Sequence, residues 1–137
     1  MQVNLTALNT HPQYLLITNI RAVDGDTIVA TVTLPLETWV QRRIRLKGFY
    51  APEMKGRDAL AGERARQRLQ DAVDGHECHI QCRGMRNDRY GRLTAVLLID
   101  GRVVHPGQVL GEFALSAEQH KADLDHARAG GPGGSLL

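Results

Sequence analysis

Arg45 and Glu53 stand eight residues apart in the segment Arg45-Leu46-Lys47-Gly48-Phe49-Tyr50-Ala51-Pro52-Glu53, with Tyr50 between them. Upstream lies Asp24-Gly25-Asp26-Thr27 and downstream Asn87-Asp88-Arg89-Tyr90-Gly91-Arg92. Together these residue types can hydrolyse a phosphodiester. That reaction needs charge neutralised on the phosphoryl oxygens, a water activated and a leaving oxygen stabilised. Asp26 could ligate a hard cation, Glu53 could polarise water, and Arg45 and Arg92 could clamp a phosphate from two directions. Gly25 and Gly91 permit the turns that bring these side chains together. Taken singly, each segment has a plainer explanation: Asp-Gly-Asp-Thr as a turn, Pro52-Glu53 as a helix start, Tyr-Gly-Arg as the lead into a strand. Their joint order and spacing is much more specific than any one of them.

These residues need a scaffold, and hydrophobic periodicity predicts one. Tyr14 to Val23 is β-rich and ends at Asp24-Gly25, a strand followed by a turn. Thr27 to Leu34 alternates Ile28, Ala30, Val32 and Leu34 on one face, and Pro35 closes it. Val40 to Lys47 alternates again, with Ile44 and Leu46 inward and Arg43, Arg45 and Lys47 outward. From about Gly62 to Val73 apolar residues recur at helical spacing, with Gly75 beyond the end and a polar face of Glu63, Arg64, Arg66, Gln67, Arg68 and Gln70 expected to be solvated. His76 to Cys82 and Leu93 to Ile99 read as fourth and fifth strands, the latter central because both faces are apolar. A short helix is expected near Pro106 to Phe113. A last one starts at the capping-box sequence Ser116-Ala117-Glu118-Gln119 and reaches about Ala129. Five short strands and about three helices imply an α+β fold, a small closed antiparallel barrel of the oligonucleotide/oligosaccharide-binding (OB) type. The domain is expected over 14–129, with a loose lead-in over 1–13 and a tail over 130–137.

The composition agrees with a single domain. A chain of 137 residues buries enough surface to fold without staples. Aromatics make up only 4%, so the core is aliphatic and an aromatic beside polar motif residues becomes a site candidate. Residues 21 to 102 hold fifteen Lys or Arg against eleven Asp or Glu, whereas 103 to 137 hold two against four. Basic character therefore follows the motifs. Arginine outnumbers lysine fourteen to three, which suits bidentate phosphate contact but is equally a product of codon bias. Cys78 and Cys82 lie on a strand, where four residues span roughly 13 Å. That is too far for both sulfurs to bind one metal or each other, so they are expected in the core with Ile80. No window approaches the length of a membrane span, no heptad argues for a dimer, and the sequence as written implies a cytoplasmic monomer. A removed leader would make it secreted or periplasmic instead.

The chain resembles the staphylococcal nuclease (thermonuclease) family over roughly residues 14 to 129. The matches lie at Val23-Asp24-Gly25-Asp26-Thr27, at Arg45-Leu46 through Ala51-Pro52-Glu53, in the helix after Gly62, at Asn87 to Arg92, at Asp100-Gly101-Arg102-Val103-Val104, and at Glu118-Gln119-His120. The resemblance implies a five-stranded barrel with three helices and a calcium-dependent nuclease acting on DNA and RNA, with unpaired strands as the expected substrate. It makes Asp26 a calcium ligand, Glu53 the general base and Arg45 and Arg92 the phosphate clamps. It also makes the Ala51 backbone carbonyl a metal contact and places Arg89 and Tyr90 near the bound nucleotide.

Two departures stand out, one at Tyr50 with Ala51 and one after Phe113. Tyr50 occupies the position where the family has an aspartate, calcium's second direct carboxylate, and Ala51 replaces a threonine. Calcium takes six to eight oxygens and its affinity follows ligand charge, so the loss of a carboxylate should weaken binding. A phenol with a pKa near ten does not restore that charge. Asp24 or Asp58 could move in, or another divalent cation could serve. The connection between Phe113 and Ser116 is also shorter than in relatives, leaving Phe113 or Tyr50 to supply part of the base stacking. Three readings follow: a nuclease with a weakened or reconfigured metal site, a catalytically silent OB-fold module that binds nucleic acid, and a protein-binding module with vestigial motifs.

Overall fold

The computed structural model describes residues 13–122 and Leu124. Six strands are formed: β1 (Gln13–Ala22), β2 (Thr27–Leu34), β3 (Thr38–Leu46), β4 (Cys78–Cys82), β5 (Leu93–Ile99) and the two-residue β6 (Arg102–Val103). Two helices follow from the expected segments, α1 (Ala59–Val73) and α2 (Pro106–Leu110). A third, α3, starts at 117, with Ser116 and Gln119 each accepting the other's backbone N–H as the capping box requires. The expected end of α3 near Ala129, the lead-in before Gln13 and the tail over 130–137 lie outside the described residues.

β1 pairs with β2 and β4, β2 with β3, and β4 with β5, all antiparallel. The barrel closes through β3 and β5, which run parallel with Ile44 opposite Leu93 and Leu46 opposite Ala95. The expected all-antiparallel barrel is thus corrected to a mixed one. The reason is connectivity: α1 and β4 intervene between β3 and β5, and such a crossover permits parallel pairing where a hairpin cannot. The closed five-strand α+β barrel of OB type is otherwise as the periodicity implied.

The interior is aliphatic. Ile28, Ala30, Val32, Ile44, Leu46 and Ile80 are fully buried, as are Ala65 and Leu69 from α1. Each large side chain among them contributes about 1.5–3 kcal/mol over leaving it in water. Cys78 and Cys82 are buried beside Ile80. Burial, with Asp100 nearby, pushes the Cys78 thiol up to about 11, a poor nucleophile. No described helix is long and apolar enough to cross a membrane.

Two polar residues of α1 that looked solvated have tertiary partners. β1 loses register with β2 between Thr18 and Arg21. There Gln70 accepts the Ala22 N–H at 2.7 Å and donates to the Ile20 carbonyl at 3.0 Å, replacing the missing ladder bonds. Arg68 bonds Glu112 at 2.7 Å and lies 4.7 Å from the centre of the Phe113 ring.

Close approach at two glycines seats the loop after β3. A Cβ on Gly25 would meet the Ala51 and Ala65 methyl carbons at 2.5 and 2.8 Å. One on Gly62 would lie 2.3 Å from the Glu53 carbonyl oxygen. Gly25 is not in the left-handed region, so its role is room rather than turn geometry. Gly25→Ala and Gly62→Ala should each cost about 1–3 kcal/mol in urea unfolding. Gly107→Ala, where a Cβ meets nothing within 4 Å, should be neutral or slightly stabilising. Equal effects at all three sites would contradict this packing.

Candidate active site

The turn after β1, the end of β3, the loop 49–53, the turn 87–92 and α3 meet around one open cavity of about 500 Å³. Asp24, Asp26, Arg43, Arg45, Glu53 and Arg92 supply its charged lining, and Ala51, Pro52, Tyr90, His120 and Leu124 complete it. Residues far apart in sequence converge because β2 and β3 pair with Thr27 opposite Arg45, while β3 and β5 pair with Arg45 opposite Thr94. Asp26, one residue before β2, and Arg92, one before β5, therefore flank Arg45.

Asp26 is buried, and its carboxylate accepts from the Thr27 hydroxyl at 3.1 Å and the Ala51 N–H at 3.3 Å. Arg45 lies 3.8 Å from the same carboxylate and donates to the Asp26 and Leu46 carbonyls. Asp24 accepts the Asp26 N–H at 2.9 Å, which turns its carboxyl toward that of Asp26. Burial first, and then Asp26, push the Asp24 carboxyl up to about 6, against opposing backbone N–H groups. Glu53 is exposed at the cavity mouth.

Asp88 organises the downstream turn. Its carboxylate accepts the Tyr90 and Arg92 N–H groups at 2.8 and 2.9 Å and the Arg92 Nε–H at 3.0 Å. The Arg92 backbone N–H first, followed by that of Tyr90 and the Arg92 guanidinium, holds this carboxyl below the ordinary range. Gly91 adopts φ +78°, which allows the turn to bend back. Arg92 also lies 5.1 Å from the centre of the Tyr90 ring.

Of the expected site residues, Asp24, Asp26, Arg45, Ala51, Glu53, Tyr90 and Arg92 line the cavity. Arg89 stands behind Tyr90, bonding its hydroxyl at 2.7 Å. Tyr50 lies beside the cavity, its ring 5.2 Å from the Arg45 guanidinium and 5.4 Å from the His120 ring. Its carbonyl accepts the Leu115 N–H at 2.8 Å, tying the loop to the start of α3. Phe113 sits in a separate small cleft with Arg64, Gln67, Arg68 and Glu112, so it does not stack at this site. Asp58 belongs to the 3₁₀ turn preceding α1 and is absent from the lining. Arg43 and His120 had no role in the sequence reading. The outward alternation of β3 carried the signal for Arg43, whereas nothing local predicted which face of α3 turns inward. Among the described residues, no three His, Cys, Asp or Glu side chains converge as a ready-made metal site.

No protein-family model matches the chain. The chain is similar to the SPbeta prophage-derived endonuclease YokF of Bacillus subtilis (strain 168), at 34% identity over 88 residues. The match covers 61% of this chain and 28% of that protein's length.

The Asp24 carboxyl, raised first by burial and then by Asp26, has a pH signature. With Asp24 raised from 3.8 to about 6, the folded state holds a proton that the unfolded state has released. The stabilisation is complete below the lower value and is lost as pH rises through the upper one. In chelator, stability should fall between about pH 4 and pH 7 by roughly 1–2 kcal/mol more in wild type than in Asp24→Asn, allowing for solvent screening. Parallel stability curves for the two proteins would show that neither burial nor Asp26 raises the Asp24 carboxyl.

Proposed function

We propose that the chain is a phosphodiesterase of the staphylococcal nuclease kind, hydrolysing DNA or RNA at unpaired strands with the help of a divalent cation. The observation that carries this reading is the one cavity that Glu53, Arg45 and Arg92 line together with Asp24 and Asp26. The motif resemblance and the similarity to an endonuclease support it.

The two guanidiniums receive the phosphodiester, each offering planar N–H pairs to its non-bridging oxygens. Asp88 holds Arg92 in place, and Asp26 with the Tyr50 ring holds Arg45. Glu53 accepts a proton from water, whose oxygen adds to phosphorus. The bond to the leaving ribose oxygen breaks on the opposite side, and that oxygen takes a proton from solvent. As negative charge grows on the phosphoryl oxygens, Arg45 and Arg92 stabilise it.

The donor set fits a hard cation held loosely. Two adjacent carboxyls, one with a raised pKa, gain from a positive charge between them, and Mg²⁺ or Ca²⁺ can complete its shell with water and substrate oxygens. Asp24, Asp26 and the Ala51 carbonyl would hold such an ion, which would supply additional charge neutralisation at the phosphate. A second reading, a silent nucleic-acid-binding module, is favoured by one feature. The lining sets Asp24, Asp26 and Glu53 against Arg43, Arg45 and Arg92, so it is near neutral and can accept a phosphate without a cation.

Heat-denatured DNA should be cut in the presence of millimolar divalent cation and not in chelator, and Glu53→Ala should lower the rate about 10²- to 10⁴-fold. No cleavage with Ca²⁺, Mg²⁺ or Mn²⁺, together with salt-dependent binding, would leave the binding module standing. Loss of both would favour a protein-interaction role.

A further inference from the structure

The outer face of the β2–β3 ribbon leads away from the cavity, and its β3 side is exposed among the described residues. α1 packs on β1 rather than on this ribbon. Along β3, Trp39, Gln41 and Arg43 are exposed while Ile44 and Leu46 are buried, so Trp39, Gln41, Arg43 and Arg45 share the outward face. Across the ladder, Thr33, Thr31 and Val29 lie opposite Trp39, Gln41 and Arg43, and Arg21 of β1 lies opposite Val29. Neither β2 nor β3 contains an acidic residue. The result is a row with arginines at the cavity end and an indole at the far end. Arg45 and Trp39 stand six positions apart, about 20 Å of extended strand.

Trp39 is 63% exposed, and its ring meets no other ring or cation among the described residues. Of the other aromatics, Phe49 is buried, Phe113 lies under Arg68 and Tyr90 is flanked by two arginines, while Tyr14, equally exposed, pairs with Gln81 of β4 and lies off the ribbon. A large flat apolar surface left in water on strands without acids, with Glu37 in the connecting turn as the acid beside it, suits an unpaired nucleobase, because every base has a π-face and the phosphates between bases are drawn to guanidiniums.

We propose that this ribbon is a second subsite for single-stranded nucleic acid. A strand whose phosphate sits between Arg45 and Arg92 continues along β3, its backbone near Arg43 and Arg21 and a base stacked on Trp39. The proposal rests on the nuclease reading, from which the anchoring phosphate comes. At roughly twice the 3.4 Å stacked repeat for an extended strand, the row spans about three nucleotides. Short substrates therefore fill the cavity without reaching Trp39.

Trp39 is the chain's single tryptophan, so its emission reports on the subsite directly. Glu53→Gln protein, used to prevent cleavage, is titrated with a thymidine dinucleotide and an octanucleotide in millimolar Ca²⁺, with labelled oligonucleotide anisotropy followed in parallel. The octanucleotide should quench Trp39 and the dinucleotide should not. Adding Trp39→Ala should weaken the octanucleotide about ten-fold while leaving the dinucleotide within two-fold, and Arg21→Ala should reduce the salt slope by about one. An octanucleotide that binds by anisotropy without changing Trp39 emission, or with equal affinity after Trp39→Ala, overturns the subsite and leaves the nuclease reading intact. Emission that changes with protein concentration alone would assign the face to a second copy of the chain and likewise overturn it. If neither oligonucleotide binds, the nuclease reading fails and the subsite falls with it.

Discussion

The site depends on close contact between loop 49–53 and two positions that lack a Cβ. Gly25 lets the Asp24–Asp26 turn lie against Ala51 and Ala65, and Gly62 lets the first half of α1 pass beneath the Glu53 carbonyl. Phe49, almost fully buried, anchors the loop from below, and the Ala51 N–H completes the seat by donating to Asp26. Strand pairing alone would bring Arg45 and Asp26 together. Only the seated loop adds Glu53 to them. Packing of this density transmits a one-carbon change as a shift of a whole segment, so residues without reactive groups control where the reactive ones stand.

Electrostatics then decides what the assembled groups do. Asp24 and Asp26 are adjacent and shielded from water, and their mutual repulsion is relieved by the nearest positive charge. Arg45 offers part of that charge from 3.8 Å, a distance that leaves the guanidinium able to turn toward an incoming phosphate. Tyr50 brings a ring beside Arg45 and His120 rather than a charge. The cavity is therefore balanced between three acids and three arginines instead of being strongly negative, a state that favours a polyanion and demands less of a cation.

Much of the barrel was legible in the sequence because its strands alternate cleanly. β2 and β5 have the expected boundaries, and Ile44 and Leu46 point inward as their spacing required. The parallel closure of β3 on β5 was not legible, since periodicity reports which face a residue takes but not which strand lies beside it. The cluster of Asp26, Arg45, Glu53 and Arg92 was readable from spacing and motif order. Asp88 stood in the quoted motif with no role, because an acid in a turn looks alike whether it faces solvent or gathers three N–H groups. Gln70 was misread for a similar reason: helical periodicity placed it on the polar face, and only the irregular pairing of β1 explains why a side-chain amide is needed there.

The central claim is the proposed divalent cation beside Asp24 and Asp26, with Tyr50 at the position where the resemblance would put a further carboxylate. Calorimetric titration of Ca²⁺ into wild type and Tyr50→Asp tests it most directly. Wild type should bind weakly, with a dissociation constant on the order of 10⁻³ M, and the added carboxylate should tighten binding at least about ten-fold. Equal affinities, or no heat from either protein, would contradict a cation site at this position.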